Sequence, residues 1–135
     1  MHINLESDYA VRIVYHMVQL GGRCDARSVA EATGVSLRFA LKIMGKLVGA
    51  GVVLSFKGAH GGYELARPAE EITLRHVIEA VEGPYRFSRC VDDGYTCAHT
   101  TSGLCPFYAV FDDVTHTVVA KLDTITFDQI GKEYK

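Results

Sequence analysis

The sequence predicts a mostly α-helical fold with one small β-hairpin and a long helix near its C-terminus. Three observations predict it. Apolar residues recur at three- and four-residue intervals through most of the chain. One β-branched run, Val52 to Phe56, leads into the glycine-rich turn Lys57-Gly-Ala-His-Gly-Gly62 and a short return segment, Tyr63 to Leu65. The chain has 135 residues, 48% of them hydrophobic and 22% charged, which suits about one domain with a buried core. No apolar run approaches the roughly 20 residues needed to span a bilayer. The N-terminus lacks the basic and apolar regions of a signal peptide. A cytoplasmic location is therefore expected, and there the four cysteines are expected to bind metal or respond to redox state rather than form structural disulfides.

The elements follow in order. Tyr9, Ile13, Val14, Met17 and Leu20 share a helical face, giving a helix from about Ser7 to Leu20 that Gly21-Gly22 ends. Asp25 stands as N-cap of a helix from Ala26 to Thr33, which Gly34 closes. Ser36 caps the next helix, Leu37 to Ala50, with Leu37, Leu41, Met44, Leu47 and Val48 expected on its buried face. After the hairpin, Thr73 caps Leu74 to Gly83, whose Leu74, Val77, Ile78 and Val81 form an apolar stripe. Pro106 suits the first turn of a last long helix, along which Phe107, Val110, Phe111, Val114, Val118 and Leu122 align. Thr124 is expected to cap a short final turn, Ile125 to Ile130, ahead of a frayed tail.

Two helices joined by a short glycine-containing turn make a helix-turn-helix, and a hairpin directly after it makes a wing. In that motif the second helix enters the major groove with its N-terminal residues leading. Here these are Ser36, Arg38, Phe39 and Lys42. Arginine can pair with a guanine edge and lysine can neutralise phosphate. In the wing, Lys57 and His60 are placed to reach the minor groove or phosphates. The charge distribution agrees, since residues 1–67 carry +3 and residues 68–135 carry −5. The expected partner is double-stranded operator DNA.

Cys90, Cys97 and Cys105 lie in a stretch rich in glycine, threonine, serine and aspartate that has no regular hydrophobic period. Three thiols on such a loop can converge on one metal or iron–sulfur centre. Their spacing matches neither the short paired cysteines of zinc sites nor the ferredoxin runs. The domain division that results is 1–83 for the winged helix-turn-helix and its linking helix, 84–105 for the cysteine loop, and 106–135 for a helix and tail. The stripe from Phe107 to Leu122 is longer than one small domain needs, which reads as a dimerisation helix, with an ordinary core helix as the alternative.

Several motifs together carry a resemblance. Asp8-Tyr9-Ala10, Leu47 to Gly51, Gly61-Gly62-Tyr63-Glu-Leu-Ala-Arg67-Pro68, Ile72-Thr73-Leu74, Val77 and Glu82-Gly83 are similar to the winged-helix regulators that include the iron–sulfur cluster regulator IscR and the nitric-oxide sensor NsrR. The resemblance covers nearly the whole chain and implies a homodimeric bacterial transcription factor. It implies that Cys90, Cys97 and Cys105 hold an iron–sulfur cluster, 4Fe–4S in preference to 2Fe–2S, that senses nitric oxide, iron or redox state. It also implies a non-thiolate fourth ligand. Asp8 of the partner subunit matches the position used in the nitric-oxide sensor, and His99 is the alternative. His60 departs from the arginine or glycine many members carry at the wing tip.

A rival reading keeps the DNA function and makes Cys90, Cys97 and Cys105 a cluster-free thiol switch. A small thiol or zinc enzyme built on Cys97 and His99 has little behind it, because no nucleophile triad, phosphate loop or carboxylate pair accompanies them. The chain is therefore not expected to be an enzyme. Cys24, away from the loop, is read as a small packing residue whose neighbours Arg23 and Arg27 would lower its pKa.

Overall fold

A computed structural model describes residues 2–98 and 105–132 of the chain. Helix α1 (Leu5–Leu20) begins where the Asn4 side chain accepts the Ser7 N–H at 2.8 Å, two residues earlier than the apolar spacing predicts. Helix α2 (Ala26–Thr33) starts at Asp25 and ends on Gly34 in the left-handed region. Helix α3 (Leu37–Gly49) starts at Ser36, whose hydroxyl accepts the Phe39 N–H at 3.3 Å. These caps satisfy amide groups that a helix start leaves unpaired.

Helices α1 to α4 pack around a single core built on Ile13, Val14, Met17, Ile43, Met44, Leu47 and Val77. The buried face of α3 differs from the expected one. It is Ala40, Ile43, Met44 and Leu47, while Leu41 is 47% exposed. The helix packs on α1, α2 and α4, so its apolar stripe is chosen by three neighbours, and Leu41 falls just outside the arc they cover.

Strands β1 (Val53–Phe56) and β2 (Gly62–Leu65) form the antiparallel wing, with Val53 opposite Leu65 and Phe56 opposite Gly62. The wing is fastened to the α1–α2 turn. Cys24 and Tyr63 exchange both backbone hydrogen bonds, at 3.0 and 2.7 Å. Gly62 is required there: its φ is +143°, and a Cβ would stand 2.6 Å from the Cys24 carbonyl oxygen.

Helix α4 (Leu74–Glu82) opens with a reciprocal cap. Thr73 Oγ1 accepts the His76 N–H at 3.2 Å, and the Thr73 N–H donates to His76 Nδ1 at 3.1 Å. Helix α5 (Pro106–Thr124) contacts α4 and the short 3-10 turn Arg89–Val91. Thr115 is its one buried residue, and Phe107 is 67% exposed. Thr124 does not cap a further turn. It is the last residue of α5, and its hydroxyl donates back to the Lys121 carbonyl. Beyond it, Thr126 bridges Thr73 and places Phe127 in the core with 1% exposure. The expected final turn follows over residues 127–132, two residues later than the sequence places it. Gly131 and Lys132 continue this ordered turn, and the rest of the tail lies outside the described residues.

Candidate nucleic-acid interface and sulfur loop

The N-terminal half of α3 stands at the surface. Ser36, Arg38 and Lys42 are exposed, and Phe39 is half-buried with its ring edge-on to Tyr9 at 5.9 Å. Arg38, Phe39 and Lys42 line a cleft of about 440 Å³. The sequence pattern thus brings together four residues on one helix end, but two already have tasks. The Ser36 hydroxyl caps the helix, and Phe39 packs.

Lys42 has an ion-pair partner that the sequence did not suggest. Its Nζ pairs with Glu6, in the first turn of α1. Lys46 Nζ reaches the other Glu6 oxygen at 2.6 Å and donates to the Val81 carbonyl at 3.3 Å. The hydrogen bond from Lys42, and then that from Lys46, hold the Glu6 carboxyl below the usual carboxylate range. Next to it, the buried Ser7 hydroxyl donates to Glu82 Oε2 at 2.5 Å. The start of α1 is thereby clamped between α3 and the end of α4.

In the wing, Lys57 and His60 are both exposed. The tip is braced by Arg23, which the sequence marked only as a neighbour of Cys24. Its Nη1 donates to the His60 carbonyl at 2.7 Å, its Nε donates to Glu64 at 3.0 Å, and its guanidinium lies 3.8 Å from the Phe56 ring centre. The expected lowering of the Cys24 pKa is overturned. Burial, and then the neighbouring Asp25 charge, push this thiol up, while Arg23 points into the wing.

The sulfur loop starts against α5. The Phe87 N–H donates to Thr115 Oγ1 at 3.0 Å, and the Phe87 ring lies 5.4 Å from that of Phe111. Cys90 sits on the 3-10 turn, its thiol 3.3 Å from the Ser88 hydroxyl, while the buried Val91 anchors the turn. Cys105 is the N-cap residue of α5. Cys90, Cys97 and Cys105 are half-buried thiols. Among the described residues no three histidine, cysteine or acidic side chains are grouped as a metal site. Asp8 is paired with Arg12 of its own helix at 2.9 Å. His99 lies outside the described residues. The donor types suit an iron–sulfur cluster, which prefers thiolates.

Comparison with known proteins agrees with this architecture. Residues 3–133 match the Rrf2 family model, described as an iron-dependent transcriptional regulator. The chain is 35% identical to the protein aau3 of Rhizobium meliloti over 95 residues, covering 70% of this chain and 62% of aau3, so it spans about three fifths of that relative. It is 25% identical to the protein rrf2 of Nitratidesulfovibrio vulgaris over 135 residues, 98% of this chain and 89% of that one. Among solved structures, IscR of T. potens is similar with a TM-score of 0.76 and 25% identity, over all of this chain and 89% of the other. CymR, the global cysteine regulator of B. subtilis, shares the fold with a TM-score of 0.75 and 21% identity, over all of this chain and 99% of its own. No helix among the described residues is long and apolar enough to cross a membrane. The chain belongs to the Rrf2 family of winged-helix, DNA-binding transcriptional regulators.

Proposed function

We propose that the protein is a homodimeric regulator that reads operator DNA in the cytoplasm with α3 and the wing, under the control of an iron–sulfur cluster. Ser36, Arg38, Phe39 and Lys42 would meet the major groove, and Lys57 and His60 the neighbouring backbone or minor groove. The observation that carries the reading is the pairing, in one chain, of an exposed basic helix start with a loop of three thiols that abuts α5. Cys90, Cys97 and Cys105 would hold the cluster, with Asp8 of the partner subunit as fourth ligand in preference to His99. When bound, it would supply a centre sensitive to nitric oxide, iron or redox state. A 4Fe–4S form is favoured over 2Fe–2S.

The dimer reading is supported by α5. Phe107, Tyr108 and Val110 are large, apolar and exposed along one end of a 19-residue helix. A second copy of the chain would cover them and bring Asp8 of the partner subunit towards the loop. For that, Asp8 must leave Arg12. That pair is exposed and worth no more than about 1 kcal/mol, so a ligand bond outweighs it.

The test is anaerobic purification followed by iron, acid-labile sulfide and visible spectroscopy, then duplex binding with and without the cluster. Near-equal iron and sulfide together with cluster-dependent DNA affinity support the proposal. Equal affinity for loaded and cluster-free protein would sink the control by a cluster.

The thiol-switch reading is supported by a separate observation: Cys90, Cys97 and Cys105 are half-buried thiols. It predicts that metal-free protein binds DNA fully, loses binding in peroxide and recovers it in reductant.

A further inference from the structure

We infer that Glu6 competes with DNA phosphate for Lys42, so that it sets the affinity and salt dependence of DNA binding. The inference rests on the reading of α3 as the DNA-contacting helix. Glu6 is not a loose surface acid. Its side chain is 18% exposed and sits beneath two lysines. Its backbone is fixed by the Asn4 cap and by the Ser7–Glu82 hydrogen bond one residue on.

The two lysines are not equivalent. Lys46 has a second anchor, the Val81 carbonyl, and its side chain is 37% exposed. Lys42 is 55% exposed, and its other neighbour is the Phe39 ring, 5.7 Å from Nζ. Lys42 also shares the open cleft with Arg38. To neutralise a phosphate, Lys42 must leave Glu6. Lys46 stays and keeps the half-buried carboxylate compensated. A carboxylate also remains beside the backbone of the DNA, where it repels phosphate. Glu6 is in this sense a positioning residue, acting on DNA through Lys42.

The test measures binding of the full-length protein to a random-sequence duplex across a salt series, with every variant prepared in the same cluster state. Glu6→Gln is expected to bind about two- to fivefold tighter at low salt, the range of an exposed ion pair. The slope of log affinity against log salt should steepen by up to about 0.9, one additional phosphate. Lys42→Met should weaken binding. Adding it to Glu6→Gln should remove the gain, a non-additivity that a merely structural role of Glu6 would not produce.

A folded Glu6→Gln variant with parental or weaker binding overturns the inference. If that variant does not fold, Glu6→Asp must show the gain, because its shorter arm cannot serve both lysines, and parental binding by Glu6→Asp overturns the inference instead. If Arg38→Ala and Lys42→Met both bind like the parent, the reading of α3 fails, and the inference with it.

Discussion

Arg23 in the α1–α2 turn donates from Nη1 to the backbone carbonyl of His60, 2.7 Å away at the tip of the wing. The same guanidinium pairs with Glu64 and lies over Phe56, so one side chain touches both strands and the turn between them. A two-stranded hairpin is marginal alone. This one takes its pose from the helical body through Arg23 and through the Cys24–Tyr63 backbone pair.

Replacing Arg23 with alanine should therefore act on the wing more than on the core. The exposed ion pair and the ring contact together contribute about 1 kcal/mol. The melting temperature should fall by only a few degrees. Hydrogen exchange of wing amides such as Gly61 should quicken, and affinity for duplex DNA should drop. Unchanged exchange in the wing would show that Arg23 is not its brace.

Phe127→Ala should be far more damaging. The ring is 1% exposed in the main core and arrives there after α5 has ended. Emptying such a site costs about 3–5 kcal/mol. Denaturant unfolding should show the unfolding free energy lowered by that amount. Because Thr126 and Thr73 are bridged beside it, α5 should loosen from α4 at the same time.

Arg38→Ala tests the reading of α3 without touching packing, since the side chain is exposed. Loss of a base-contacting arginine should cost about 1–3 kcal/mol on an operator and relax sequence preference at one position. Operator selection from a random pool, followed by titration, measures both. Stability should remain within about 0.5 kcal/mol of the parent.

Cys24 should be the slowest thiol in native protein. Burial and Asp25 raise its pKa above the ordinary 9.0, so the reactive thiolate is scarce at neutral pH. Timed alkylation read by mass spectrometry should label Cys90 and Cys105 in metal-free protein first. The raised value means that the folded state disfavours the charged thiolate. Its contribution to stability is whole below pH 9.0 and is lost as pH rises through the higher folded value. Unfolding curves between pH 8 and 10 should weaken more in the parent than in Cys24→Ala.

The order of elements was legible because helix starts are local events. Asp25, Ser36 and Thr73 each bond an amide three residues on, and Pro106 needs no amide partner. The hairpin was equally local, with Gly62 marking the place where two backbones meet. The candidate residues Arg38, Lys42, Lys57 and His60 were legible as exposed groups on those elements. The sulfur loop was legible as composition, and among the described residues no three metal-binding side chains are grouped.

The sequence by itself determined which segments are helix, strand and loop, because caps, turns and periodicity act within a few residues. Tertiary structure alone decided which side of α3 faces inward, since α1, α2 and α4 together choose Ala40 over Leu41. It also decided that Lys42 meets Glu6 across 36 positions and that Arg23 meets His60 across 37. Such pairs carry no local signature. They exist because packing of the apolar core brings the start of α1 against α3 and the α1–α2 turn against the wing, and the charges complete contacts that the core has already placed.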